Sequence, residues 1–167
     1  GNLGTGTLTV SNGAVVSANR ILVIDAVGNV GSTVIIGAAA GDTPTGAGTL
    51  ETTNLNLLSG NSTLVFNHTD AGYLFAPSIE GYGSLQHHAG ETILTGTNTY
   101  TGATTIYGGT LALGDGGSLD GTSAISIAPD AGGTATMIVR GDNGGGTVNM
   151  SGTVGVESLL QNQDYDP

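Results

Sequence analysis

Apolar residues along this chain come in short bursts, and the bursts are separated by polar corners. Leu22-Val23-Ile24, Val34-Ile35-Ile36, Leu64-Val65-Phe66 and Met137-Ile138-Val139 are examples. A small unit recurs at the start of many bursts: Gly or Ser, then Thr or Ser, then an apolar residue. It is found as Gly6-Thr7-Leu8-Thr9-Val10, Ser32-Thr33-Val34-Ile35-Ile36, Gly48-Thr49-Leu50 and Ser62-Thr63-Leu64-Val65-Phe66. It returns in Gly83-Ser84-Leu85, Gly109-Thr110-Leu111-Ala112-Leu113 and Gly146-Thr147-Val148. Valine, isoleucine and threonine favour pleated backbone, while glycine and asparagine supply corners of positive φ. The pattern predicts many strands of three to five residues, with further strands at Ala14 to Ser17, Thr92 to Leu94 and Ala124 to Ile127. No amphipathic helix is evident. Glu157-Ser158-Leu159-Leu160-Gln161 is the nearest candidate, and residues 157–167 read as a cap or a frayed tail.

The first apolar position of the recurring unit moves irregularly, from Leu8 to Val34, Leu50, Leu64, Leu85, Leu111 and Val148. Such spacing arises when a coil has several strands per turn and corners of unequal length. A β-sandwich would also place short strands every 8–12 residues or so. Its core normally holds large aromatics, whereas this chain has no tryptophan and only 4% aromatic residues. The pattern therefore points to an all-β chain coiled as a parallel solenoid. With about 20 residues per turn, 167 residues would make about eight turns and a rod of roughly 40 Å.

Composition narrows the functional classes. Thirty-one of 167 residues are glycine, which between apolar bursts reads as corner material rather than disorder. Thirteen acidic residues face two arginines, Arg20 and Arg140, for a net charge of -11. Two cations cannot neutralise a run of phosphates, so no nucleic acid partner is expected. The same balance disfavours anionic lipid or glycosaminoglycan. With no cysteine there are no disulfides or thiolate metal sites, and no stretch reaches the length of a membrane helix.

Two stretches carry a resemblance. Leu94-Thr95-Gly96-Thr97-Asn98-Thr99-Tyr100-Thr101-Gly102-Ala103-Thr104-Thr105-Ile106, with Gly108-Gly109-Thr110-Leu111, closely resembles the autotransporter-associated β-strand repeat. Upstream, Ile35-Ile36-Gly37-Ala38-Ala39-Ala40-Gly41, Leu64-Val65-Phe66-Asn67-His68-Thr69-Asp70 and Glu80-Gly81-Tyr82-Gly83-Ser84-Leu85 resemble passenger segments of the same bacterial proteins. The likeness runs from about residue 5 to 114, with 94–114 as the repeat. It implies a right-handed, single-stranded parallel β-helix spanning residues 1–167, a passenger exported through the periplasm and shown on a Gram-negative outer membrane or secreted. The absence of cysteine agrees with passage through a narrow pore. The chain starts without a signal peptide and lacks the translocator barrel, so an excised passenger fragment is expected. A rigid adhesive stalk and an autochaperone role in folding are what the resemblance implies. Its partners would be a host-cell receptor, extracellular matrix or another copy of the chain.

Candidate chemistry is sparse, and no catalytic, cofactor or metal residues are expected. The acidic residues scatter over corners, and Asp164 and Asp166 lie in the predicted tail. The alternative function is a carbohydrate-active β-helix enzyme, a lyase or hydrolase. It would need paired carboxylates and aromatic sugar platforms, for which Tyr73, Tyr82, Tyr100 and Tyr107 are the candidates. His87 and His88 are adjacent, so their side chains point to opposite faces of a strand: a poor metal pair, one exposed and one half-buried. His68 sits in a polar Asn-His-Thr-Asp corner. The segment Gly114-Asp115-Gly116-Gly117-Ser118-Leu119-Asp120-Gly121 slightly resembles calcium-binding repeats, but it occurs once and reads better as a loop. Thr7 and Thr9, and Thr97, Thr99 and Thr101, alternate as a flat threonine ladder would. The sequons at Asn61, Asn67 and Asn149 read as corner asparagines. Among binding motifs the sharpest is Arg140-Gly141-Asp142, on a loop continuing into Asn143-Gly144-Gly145-Gly146. Its cation and carboxylate, at opposite ends of an extended loop, match what an integrin reads.

Overall fold

The computed structural model describes residues 5–23, 31–131, 133–139, 147–149 and 154–156. The Arg140-Gly141-Asp142 motif and the 157–167 segment lie outside the described residues. Each turn of the coil contributes three strands, and strands three apart in chain order pair in parallel. The first face stacks Thr7–Val10, Thr33–Gly37, Thr63–Asn67, Ser84–Ala89, Thr104–Ile106, Ile125–Ile127 and Val154–Val156. The second stacks Val15–Ser17 on Thr49–Glu51, and then Tyr73–Phe75, Glu91–Leu94, Gly109–Leu113 and Ala135–Val139. On the third lie Ile21–Val23, Asn54–Leu57 and Ser78–Gly81, followed by Thr97–Asn98, Ser118–Asp120 and Thr147–Asn149. This is an all-β parallel β-helix, and no helix occurs among the described residues.

Among the described residues the coil makes six three-strand turns and begins a seventh, fewer than the eight expected. Leu8 lies opposite Val34, then in register come Leu64, Leu85, Thr104, Ile125 and Val154. The turn from Val34 to Leu64 is the longest, and the turn from Leu85 to Thr104 the shortest. Only the middle turns, between Leu64 and Ile125, keep close to the expected length. At about 4.8 Å per rung, seven rungs span roughly 30 Å, short of the rod expected. The recurring Thr-apolar unit marks strand starts, as expected, but not one face. Thr7, Thr33, Thr63 and Ser84 align on the first face, whereas Thr49 and Thr110 open strands on the second and Thr147 on the third.

Alternation along each strand builds the core. On the first face one inward ladder runs Val10, Ile36, Phe66, His87, Ile106 and Ile127, and all but Ile127 are buried. On the second, Phe75, Leu94 and Leu113 point inward and are buried, while Leu74 beside them is 64% exposed. Like residues meet like residues about 4.8 Å away, so each rung covers the apolar side chains of the last. Removing a buried leucine or phenylalanine from such a column costs about 2–5 kcal/mol.

The long second turn is held by a local contact. Asn67 is buried, and its Nδ2 donates to the carbonyls of Ala39 (2.7 Å) and Asp42 (3.0 Å). This pins the extra residues as a flap over the first face, so Ile35 and Val65 point outward yet are buried. Asn67 is thus a structural clamp within its sequon. A flat threonine ladder is kept over part of the first face alone: Thr7, Thr33 and Thr63 stack below Ser84, whereas the neighbouring outward position reads Thr9, Ile35, Val65, Gln86, Thr105 and Ser126.

Candidate functional site

The turns between residues 68 and 122 contain the densest buried polar chemistry among the described residues. Three separate hydrogen-bonded groups lie on or inside the coil there. Each is built by residues that alternation alone would have made apolar.

The first group joins His68, Thr92 and His87, all fully buried. Thr92 Oγ1 lies 2.7 Å from His68 Nε2 and 3.1 Å from His87 Nε2. His68 Nδ1 accepts the Asp70 backbone N–H at 3.2 Å, so a neutral His68 carries its proton on Nε2 and donates to Thr92. His87 Nδ1 faces the Gly108 carbonyl at 2.8 Å and must donate there, leaving Nε2 to accept the Thr92 hydroxyl proton. The result is a one-way chain: Asp70 N–H, His68, Thr92, His87, Gly108 carbonyl. Burial pushes the His87 imidazole down to about 4, against weaker upward pull from the Gly108 carbonyl, and burial also lowers His68 against the nearby Asp70 carboxylate. Phe66 supplies an aromatic wall, with ring centroids 6.4 Å from His68 and 6.2 Å from His87.

Asn98 forms the second group. Its Nδ2 donates to the carbonyls of Gly96 (2.9 Å) and Ser118 (2.8 Å), and its Oδ1 accepts the Ile79 N–H at 3.0 Å. One side chain therefore satisfies backbone groups of its own turn, the turn before and the turn after. In the third group the fully buried Tyr100 hydroxyl meets Thr104 Oγ1 at 2.5 Å. Thr104 Oγ1 lies 3.1 Å from Thr122 Oγ1, which faces the Gly102 carbonyl at 2.8 Å. Burial raises the Tyr100 hydroxyl well above its ordinary range.

Several expectations are changed by these positions. His87 and His88 do point to opposite sides, but the inward member is wholly buried and the outward one is only half-exposed. His88 stacks on Tyr107 with centroids 4.7 Å apart and an interplanar angle of 18°. His68, expected in a polar corner, is fully buried in the core. The candidate sugar platforms do not assemble. Tyr100 is inside the coil, Tyr73 donates its hydroxyl to the Gly48 carbonyl at 2.7 Å, Tyr107 is covered by His88, and Tyr82 alone is well exposed. The glycine-aspartate segment is a corner leading into Ser118–Asp120, where Ser118 Oγ donates to Asp120 Oδ2 at 2.6 Å. Among the described residues no group of three or more His, Asp or Glu side chains is placed to hold a metal ion.

Comparison with known proteins falls on the same turns. The model of the passenger-associated-transport-repeat family matches residues 89–113, which span Thr92, Asn98, Tyr100, Thr104 and Gly108. The chain carries the passenger repeat of autotransporters. The match starts before the stretch that the sequence motif suggested and ends just short of its last position, so it takes in the corner at Gly90 and the whole Glu91–Leu94 strand. The passenger is 38% identical over 100 residues to the Brucella suis biovar 1 (strain 1330) adhesin BmaC autotransporter, covering 59% of this chain and 3% of that protein. It is 35% identical over 144 residues to the uncharacterized lipoprotein YdeK of Escherichia coli (strain K12), covering 77% of this chain and 11% of that one. The chain thus corresponds to a small part of each relative. No solved structure matches it.

Sequence reasoning missed Thr92 as the bridge and Asn98 as the staple. A signal for the first existed. The step along the chain from His68 to His87 equals the step from Tyr73 to Thr92 and from Leu85 to Thr104, both of which are in-register pairs.

Proposed function

We propose that this segment is a non-enzymatic, load-carrying length of an adhesin-type passenger, displayed at the Gram-negative cell surface or released from it, and that residues 89–113 help the passenger fold. The observation that carries the reading is the coincidence of the matched repeat with the shortest, most regular turns and the buried staples. Thr92, Asn98 and the Tyr100–Thr104–Thr122 group each join one turn to a neighbour in sequence, so a completed turn presents partners for the next. A coil built that way can grow turn by turn outside the cell without a nucleotide-driven chaperone. Similarity to a protein named an adhesin supports the adhesive role.

The test is deletion of one register-matched turn from the full-length parent. Leu94 and Leu113 occupy the same position in successive turns, so removing 94–112 excises one whole turn and joins Ile93 to Leu113 in register. Removing 34–63 excises the long second turn in the same way, because Val34 and Leu64 are partners, and serves as the control. Surface-displayed, protease-resistant passenger should fall sharply for the first deletion and persist for the second. Equal display would overturn the folding role. For adhesion, the contact we propose is Arg140-Gly141-Asp142, which follows the strand Ala135–Val139 on the second face. Asp142→Glu keeps the charge but lengthens the reach, and should abolish integrin-dependent attachment; unchanged attachment would remove the motif from the reading.

A further inference from the structure

His87 and Thr92 are polar intruders in apolar columns. The His87 column is otherwise Val10, Ile36, Phe66, Ile106 and Ile127, and the Thr92 column holds Tyr73, Leu111 and Met137. A phenylalanine or leucine at 87 would continue the packing above and below it, and replacing both partners of a buried polar pair by apolar groups can be nearly neutral. His68 is buried beside them, its ring centroid 6.2 Å from that of His87 and 5.1 Å from that of Tyr73.

We propose that the His68–Thr92–His87 chain is an acid-sensitive staple, which locks the third and fourth turns together at neutral pH and releases them on acidification. The directionality of the chain supplies the mechanism. His87 Nδ1–H is already committed to the Gly108 carbonyl, so a proton from solvent can add only at Nε2. That nitrogen then stops accepting from Thr92, and the Thr92 hydroxyl proton loses its acceptor. His68 Nε2–H already points at the same oxygen, so two donors converge on Thr92 from imidazoles that both adjoin Phe66.

The surrounding charges do not rescue His87. The carboxylate that acts on His68 is Asp70. It lies next to His68, and its Oδ1 also accepts the Ala47 N–H at 3.1 Å. A charge on His68 would therefore be partly compensated, whereas His87 faces His68 and His88, both of which disfavour its cation. Asp130 acts on His88, on the outer side of the strand, and Tyr73 brings only a neutral phenol. The sign follows directly. A histidine held down to about 4 when folded, and near 6.5 when unfolded, leaves the folded state with fewer protons between those values. Stability is fully present above about pH 6.5 and is lost as pH falls toward 4. Between pH 7.5 and 5.0 this one group should raise the unfolding constant by about 30-fold.

Two measurements on the 167-residue chain test the staple. Imidazole nitrogen–proton correlation spectra of the labelled wild type should show His87 neutral at pH 5.5, with its proton on Nδ1. An imidazolium at that pH, or the opposite tautomer, would overturn the proposal. Denaturant unfolding at pH 7.5 and 5.0 should show about 30-fold less acid sensitivity for His87→Phe than for the wild type, the carboxylates being common to both. Parallel behaviour of the two proteins would also overturn it, and if the variant does not fold the ring spectra of the wild type decide alone.

Discussion

Gly90 lies so close to His68 that a Cβ added to the glycine would sit 2.3 Å from the histidine Nδ1 and 2.6 Å from its carbonyl oxygen. The glycine also has φ of +86°, where side chains carrying a Cβ are strained. Both conditions arise because the corner before Glu91–Leu94 must pass over the buried ring.

Gly90→Ala should therefore destabilise the coil by about 2–5 kcal/mol, combining left-handed strain with overpacking against backbone and ring. Gly72 provides the comparison. Its φ is +71°, but a Cβ there would meet nothing within 4 Å, so Gly72→Ala should cost only about 1 kcal/mol. Chemical denaturation of the two variants separates strain from collision, and equal losses would show that the approach to His68 is not what demands glycine at 90.

The phase of the second face is tested by neighbours. Phe75 is buried and packs edge-on against Phe66 with centroids 5.1 Å apart, whereas Leu74 points outward. Phe75→Ala should cost about 3–5 kcal/mol and Leu74→Ala at most about 0.5 kcal/mol. Thermal or denaturant midpoints give the comparison. Similar losses at both positions would mean that the strand is turned over.

The strands were legible because an apolar burst between glycine or polar corners is a local property. Ala14 to Ser17, Thr92 to Leu94 and Ala124 to Ile127 were expected from their own residues and lie within a residue of the observed Val15–Ser17, Glu91–Leu94 and Ile125–Ile127. Which strand stacks on which was less legible, since it depends on corner lengths. The turn from Val34 to Leu64 is the longest of the coil, with its extra residues tied down by Asn67 through Ala39 and Asp42, and nothing in the neighbouring residues announces that. The same dependence hid the His68–Thr92–His87 chain. His68 reads as a corner residue in every local window, and it becomes core only when the following turn, from Tyr73 round to Thr92 on the second face, closes over it.

Alkaline behaviour offers another check. Burial, with a smaller contribution from Asp70, pushes the Tyr73 hydroxyl up to about 12 from an ordinary 10. The folded state thus holds this proton longer than the unfolded chain does. Its contribution is intact below pH 10 and is lost as pH rises from 10 towards 12, amounting to about 1 kcal/mol at pH 11. Tyr73→Phe should flatten the fall of stability between pH 9 and 11 while lowering stability at pH 7, since the bond to the Gly48 carbonyl is gone. An unchanged slope would place the hydroxyl in solvent rather than against Gly48.

Asn98 gives the sharpest test of what the repeat contributes. Its side chain uses both amide protons and its oxygen on Gly96, Ser118 and Ile79, so truncation removes a bond from three backbone groups at once, the Gly96 carbonyl keeping its longer bond from the Ser118 N–H at 3.2 Å. Each unsatisfied group costs about 1–3 kcal/mol, with partial relaxation reducing the sum. Asn98→Ala should therefore cost about 3–5 kcal/mol, far more than its lost contact area would suggest. Asn98→Asp keeps the shape and the acceptor facing Ile79 but turns two donations into repulsions with carbonyls, so it should be at least as damaging. Hydrogen exchange at Ile79 supplies the readout specific to the staple: its amide donates to Asn98 Oδ1, so protection there should drop in Asn98→Ala by more than in the first turn. Uniform loss of protection would make Asn98 an ordinary core residue rather than the link between successive turns.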